Sequence, residues 1–156
     1  MSDTPATVTR FEIVHQQQPD GQTCGQTCLA MILGVPVADV VKVFGRIGCS
    51  TRELYYALDR CALWWNALLY EYPMLHGHYI AMVPSLNIEA GTHYVVIRRD
   101  ENGETVFDPN RGREGKKFYG NADEGGVPIR FKLHLLYVCK SGWCGDWYDG
   151  HLPAAA

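Results

Sequence analysis

Three residues of this chain are placed to do chemistry together: a cysteine at the head of an apolar run, and a histidine and an aspartate that bracket a later hairpin. The first lies in Gln18-Pro-Asp-Gly-Gln-Thr-Cys24-Gly-Gln-Thr-Cys28-Leu-Ala-Met-Ile-Leu33. Here a polar, turn-rich loop runs straight into apolar sequence. Asp20-Gly21 is a turn signal, and Gly25 allows backbone to approach closely beside the cysteine. The run from Thr27 to Leu33 is apolar nearly all round, which predicts a buried helix with Cys24 at its N-terminus. The unpaired N–H groups and the dipole of that terminus favour a thiolate over a thiol. The ordinary alternative, a structural cysteine in the core, suits Cys28 one turn further on.

A cysteine nucleophile needs a base, and the base needs a group to orient it. Among six histidines, His93 opens the apolar run Tyr94-Val-Val-Ile97, and Asp108 closes the next strand just before Pro109. An antiparallel hairpin brings its first and last residues together, so an imidazole and a carboxylate should meet at one end of a sheet. The carboxylate would accept from the ring N–H and fix the tautomer. Read conservatively, His93 is a strand-edge histidine facing solvent, and Asp108 initiates a turn, since Asp-Pro-Asn is common turn chemistry. His78 is the rival base, also followed by tyrosine and an apolar strand, but no carboxylate sits at a matching hairpin position. His15, His134 and His151 have no such geometry and read as surface or packing residues. Thiol attack on an acyl carbon also needs an oxyanion site. The Cys24 N–H is one donor, and Gln16, Gln17, Gln18 and Gln22 are candidates for a second.

The elements that must hold these groups follow from the rest of the pattern. Arg10–Val14 alternates and predicts a short first strand. Gly34 caps the Cys24 helix. Pro36–Phe44 predicts a second helix with Val37, Val40, Val41 and Phe44 on one face. Gly45–Gly48 is a connector. Ser50-Thr-Arg-Glu53 fits a capping box, and Leu54, Ala57, Leu58 and Cys61 continue at helical spacing, so a third helix is expected from Thr51 to about Ala62. Leu63–Met74 is aromatic-rich and reads as strand or irregular. Tyr79–Val83 and His93–Arg99 are strands. Asp100–Gly103 is a hairpin loop, and Glu104–Phe107 returns antiparallel. Arg111–Gly126 reads as an exposed loop, with Gly125-Gly126 a flexible turn. Ile129–Val138 is the longest strand candidate. The tail from Ser141, with Trp143, Trp147 and Tyr148, should pack on the body and fray from Pro153. Helices first and an antiparallel sheet after them make an α+β arrangement, with no internal repeat and no linker. The length of 156 residues suggests one domain, 1–156.

Composition narrows the function classes. With 14 basic against 17 acidic residues, the charge argues against nucleic acid as the main partner. The N-terminus shows no secretory signal, and Pro36, Asp39 and Lys42 interrupt the best apolar run, so no membrane partner and a cytoplasmic location are expected. Six irregularly spaced cysteines in a reducing compartment should be mostly free thiols. His134, Cys139, Cys144 and His151 have the residue types of a zinc site. Their Cys-x4-Cys spacing is at the edge of the usual range, so ordinary thiols or a Cys139–Cys144 disulfide are preferred, and no metal or cofactor is expected.

Taken together, Gln18-x5-Cys24-Gly-x-x-Cys28-Leu-Ala-Met-Ile, then Thr92-His93-Tyr94-Val-Val, then Val106-Phe-Asp108-Pro109 resembles the C39-like branch of papain-fold cysteine peptidases. That family carries a glutamine six residues before a Cys-Gly pair, a His-Tyr or His-Trp strand start, and an Asp-Pro after the next strand. The resemblance spans Gln18 to Pro109, about two-thirds of the chain. It implies a papain-like fold with Gln18 as oxyanion donor, Cys24 as nucleophile, His93 as base and Asp108 as orienter. The best-known members are domains of membrane exporters, whereas a stand-alone enzyme with no transporter attached is expected here. The expected reaction is hydrolysis of a peptide or isopeptide bond in a peptide or protein substrate, through a thioester. A transglutaminase-like acyl transfer and a catalytically inactive papain-like binding module are the alternatives, and the intact set of four residues argues against the last.

Overall fold

The computed structural model describes residues 12–46, 50–61, 63–68 and 76–139. Among these residues, three α-helices precede and flank a five-stranded antiparallel sheet, an α+β arrangement. Helix α1 spans Cys24–Leu33, α2 spans Val37–Phe44 and α3 spans Thr51–Arg60. The strands are β1 Trp64–Leu68, β2 Gly77–Pro84, β3 Thr92–Asp100, β4 Gly103–Phe107 and β5 His134–Cys139, in the order β1-β5-β2-β3-β4.

Local signals set the helix ends. Gly34 takes the left-handed conformation (φ 71°) and donates to the Ala30 carbonyl, closing α1 where its apolar run stops. In α3 both halves of the capping box form: Glu53 N donates to Ser50 Oγ at 3.2 Å, and Ser50 N donates to Glu53 Oε2 at 3.1 Å. Each satisfies a backbone donor that the first turn leaves unpaired. This helix ends at Arg60, short of the expected Ala62, because Cys61 is already its cap. In α2, Val40 is buried while Val37, Val41 and Phe44 are half-buried on the same face.

The sheet has a packed layer on each side. Leu29, Ile32 and Cys28 of α1 and Leu54 and Leu58 of α3 form one core with Ile80, Tyr94, Val96, Leu136 and Val138. The strand residues of alternate parity (Tyr79, Ala81, Val83, Val95, Ile97, Leu135 and Tyr137) form a second core, closed by Tyr119 from the long loop after β4. So β2, β3 and β5 are buried on both faces, which explains why they read as continuous apolar runs rather than clean alternation. The apolar body of α1 packs on the sheet that contains the His93 strand, as its buried length requires.

Three expectations need correction. Residues 12–14 form no strand, and Arg10 and Phe11 lie outside the described residues. This segment is tied down further along by side-chain and loop contacts, with Gln18 N donating to the Pro109 carbonyl at 2.9 Å. Strand β5 begins at His134 instead of Ile129. The β5 ladder on β2 ends at the pair Met82–His134, and beyond it β2 has only Val83 and the N–H-lacking Pro84 left to offer. The Arg111–Gly126 loop is not simply exposed. Tyr119 is buried and bridges to Val127, and a 3₁₀ turn forms at Ala122–Glu124. Strand β1 gives the unassigned Trp64–Leu68 stretch its place, at the sheet edge beside β5. The tail from Ser141 lies outside the described residues.

Candidate active site

Cys24 is the first residue of α1, and no acidic side chain occupies the first turn to compete for the helix terminus. It is half-buried, its thiol is free, and Cys28 one turn on is fully buried in the core. His93, the second residue of β3, is buried, and its ring reaches both partners that the chemistry needs. Nε2 lies 2.6 Å from Asp108 Oδ1. The Cys24 side chain lies close enough to the same imidazole to help hold its proton, and both residues line one hollow. Burial pulls the imidazolium down, but the hydrogen bonds to Asp108 and Cys24 and the charges of both outweigh it. The His93 pKa is pushed up to about 9. The ring is therefore a proton-carrying group at neutral pH, in the hollow that Cys24 also lines.

The backbone fixes the carboxylate as firmly as the ring. Asp108 is 1 % exposed. Its Oδ1 also accepts from Asn110 N at 2.8 Å, and its Oδ2 accepts from Tyr119 N at 2.7 Å. Three N–H donors thus converge on one buried carboxylate, with its orientation set by the turn that follows β4 and by the middle of the long loop. The Asp108 carbonyl accepts from the ring of His15 at 2.7 Å. His15, read as a surface or packing residue, instead steadies the turn that carries the aspartate.

Gln18 lines the same hollow as Cys24 and His93, together with Asn110 and Arg113. It is 2 % exposed. One Nε2 hydrogen goes to the Asp20 carbonyl at 2.6 Å, while Oε1 is buried with no partner among the described residues. The second Nε2 hydrogen is the one left for another acceptor. Gln16, by contrast, spends its amide on α2, donating to the Val35 carbonyl at 2.7 Å and accepting from Val37 N at 2.8 Å. Gln22 is exposed.

The other histidines lie elsewhere. In the β2–β3 ladder the partner of His93 is Val83, and His78 is five residues back along β2, about 16 Å at the usual strand rise. His134 sits in β5 with Nε2 2.6 Å from the Tyr55 hydroxyl, and burial holds its pKa below the usual value. Of the conceivable zinc set only His134 has a described side chain, and Cys144 and His151 lie outside the described residues. Among the described residues no group of three His, Cys, Asp or Glu side chains is placed to hold a metal ion. No described helix is long and apolar enough to cross a membrane.

Sequence reasoning missed Asn110, Tyr119 and His15. The first two act through backbone N–H groups, which any residue but proline carries, so residue type gives no signal. In comparisons with known proteins, no family model matches the chain, and no curated protein is similar enough to match it.

Proposed function

We propose that the chain is a papain-like cysteine peptidase that cleaves a peptide or isopeptide bond. The observation that carries this reading is the buried His93 imidazole, hydrogen-bonded to Asp108 and sharing one hollow with Cys24 at a helix N-terminus. The resemblance to C39-like peptidases supports the same assignment of roles. So does the architecture, a buried helix headed by the cysteine and packed on an antiparallel sheet.

In this reading the Cys24 sulfur attacks the carbonyl carbon and the carbonyl electrons move to oxygen. The Cys24 N–H and the spare Nε2 hydrogen of Gln18 stabilise that oxyanion. As the oxyanion collapses, the C–N bond breaks and His93 gives its proton to the leaving nitrogen. A thioester remains on Cys24. Water then attacks the thioester and passes a proton to His93. The acid leaves, and the sulfur and imidazolium are restored as a pair. Asp108 keeps the ring turned toward sulfur and favours its protonated form.

The test is product analysis on a mixed peptide pool by mass spectrometry, with and without an added primary amine. Cleaved peptides from the wild type and none from Cys24→Ala support the reading. Amine-capped products in place of free acids would indicate acyl transfer, and no reaction with any peptide would indicate a binding module.

A further inference from the structure

The hollow beside Cys24 has a one-sided charge. Among the described residues that line it are Arg113 and Lys116, and none is a carboxylate. Both cations are available. Arg111 nearby is paired with Glu124 at 3.3 Å. Arg113 and Lys116 are in no ion pair among the described residues, and Arg113 Nη1 donates only to the neutral Asn110 Oδ1 at 2.9 Å. Glu114, between them, is exposed and does not line the hollow.

The loop that carries these cations is held against the site at several points. Arg113 N donates to the Asn110 carbonyl at 3.0 Å, and Lys116 N donates to the Arg113 carbonyl at 3.2 Å. Asn87, which also lines the hollow, clamps the next residue: its Nδ2 donates to the Lys117 carbonyl and its Oδ1 accepts from Lys117 N, both at 2.9 Å. Two residues later Tyr119 N holds Asp108. At Gly112 (φ 90°) the amide oxygen of Gln17 would lie 2.7 Å from any Cβ, so that part of the loop is pressed on the Gln17–Gln18 segment. The cations are thus parts of a wall of the cleft. A positive wall along a cleft raises the local concentration of anions.

We propose that Arg113 and Lys116 form an anion-selecting subsite, so that the preferred substrate carries a carboxylate side chain close to the scissile carbonyl. This deepens the peptidase reading and rests on it. The arginine is the directional partner, because its guanidinium is braced by Asn110 and keeps donors free for a bidentate carboxylate contact. The lysine adds a screened point charge.

The test separates the charge of the wall from turnover. Cys24 alkylation is timed with iodoacetate, an anion, and with iodoacetamide, its neutral analogue. The ratio of the two rates is compared between wild type, Arg113→Gln, Lys116→Gln and the double variant. His93 attracts iodoacetate equally in all four, so a change in ratio reports the wall. The ratio should fall about threefold in each single variant and about tenfold in the double. The difference should shrink in about 0.5 M salt, where exposed charges are screened. Lys42→Gln, remote on α2, should leave the ratio where it was. If Arg113→Gln folds poorly, the exposed Lys116, replaced by Gln or by Glu, carries the comparison alone. An unchanged ratio overturns the subsite. A fall in ratio together with faster cleavage of glutamate-containing than of glutamine-containing peptides supports it in full. A fall in ratio with no peptide cleaved keeps the anion wall and removes the peptidase reading. Failure of Cys24 to react with either reagent overturns both.

Discussion

His93 and Asp108 meet at 2.6 Å although they are not ladder partners. The last pair of the β3–β4 hairpin is Val96–Phe107. Continued one step, that register would set Asp108 opposite Val95, and His93 lies two residues back on the same face. Such a diagonal spans roughly 7–8 Å between backbones, within reach of a carboxylate and an imidazole pointing at each other. The turn after Phe107, held through Asn110 N and Tyr119 N, aims the carboxylate along that diagonal.

Replacing the two members of this pair should have graded effects. His93→Ala removes the proton donor and should abolish turnover. Asp108→Asn retains an amide that can hold the ring but stabilises the imidazolium poorly. A loss of roughly 10²-fold or more is expected, smaller than for His93→Ala. It should also lower the His93 pKa from about 9. Peptide-cleavage rates together with an NMR titration of the His93 ring check both statements. An unchanged ring pKa would contradict the orienting role.

The rival base gives a contrasting expectation. His78 is buried in β2 about 16 Å along the strand from Val83, the partner of His93. His78→Ala should keep most of the activity while lowering stability by about 1–3 kcal/mol from lost packing. Parallel measurement of turnover and urea unfolding separates the two effects. Equal loss of turnover in His78→Ala and His93→Ala would contradict the choice of base.

Much of this was legible because it is local. The helix starting at Cys24, the Gly34 cap and the Ser50–Glu53 capping box each depend on residues within one turn of one another. The His93–Asp108 meeting was legible because a short hairpin leaves little freedom of register. Strand β1 was not, since Trp64–Leu68 gains its strand form only by pairing with β5 some seventy residues away. The start of β5 was misjudged for a related reason. Alternation continues upstream of His134, but the length of a strand is set by what its neighbour can still offer. The role of Tyr119 was hidden because its contribution to Asp108 is a backbone N–H and its burial comes from the second core.

Stability should depend on pH through His93. Its pKa in the folded protein is raised from 6.5 to about 9, so the folded state binds the proton more tightly than the unfolded chain does. That contribution is fully present below about 6.5 and is lost as the pH rises through about 9. Urea unfolding across this range should show a decline of order 3 kcal/mol in the wild type, from about 1.4 kcal/mol per pKa unit, and a smaller one in His93→Gln. Equal slopes for the two would contradict a His93 proton held by Asp108 and Cys24.

Gly125-Gly126 is a tight turn rather than a flexible one. Gly125 has φ 81°, and a Cβ on Gly126 would lie 2.6 Å from the Gly120 carbonyl carbon. Gly120 N bonds the Val127 carbonyl at 2.9 Å, beside the Tyr119 N that holds Asp108. Gly126→Ala should therefore push the Tyr119 segment off the carboxylate, costing about 1–3 kcal/mol of stability and lowering turnover. Thermal unfolding and peptide cleavage measured on the same preparation check this. Full stability and activity in Gly126→Ala would show that the turn does not support the site.

The central claim is that Cys24, and not Cys28, is a nucleophile activated by His93, and a limiting amount of iodoacetamide near neutral pH tests it most directly. The site of modification is mapped by peptide mass spectrometry in wild type, His93→Ala and Cys28→Ala. Cys24 sits at the helix terminus against His93, whereas Cys28 is fully buried. The predicted result is preferential label on Cys24 in the wild type, retained in Cys28→Ala and slowed at least about tenfold in His93→Ala. Label on Cys28, or Cys24 label at the same rate without His93, would contradict the account.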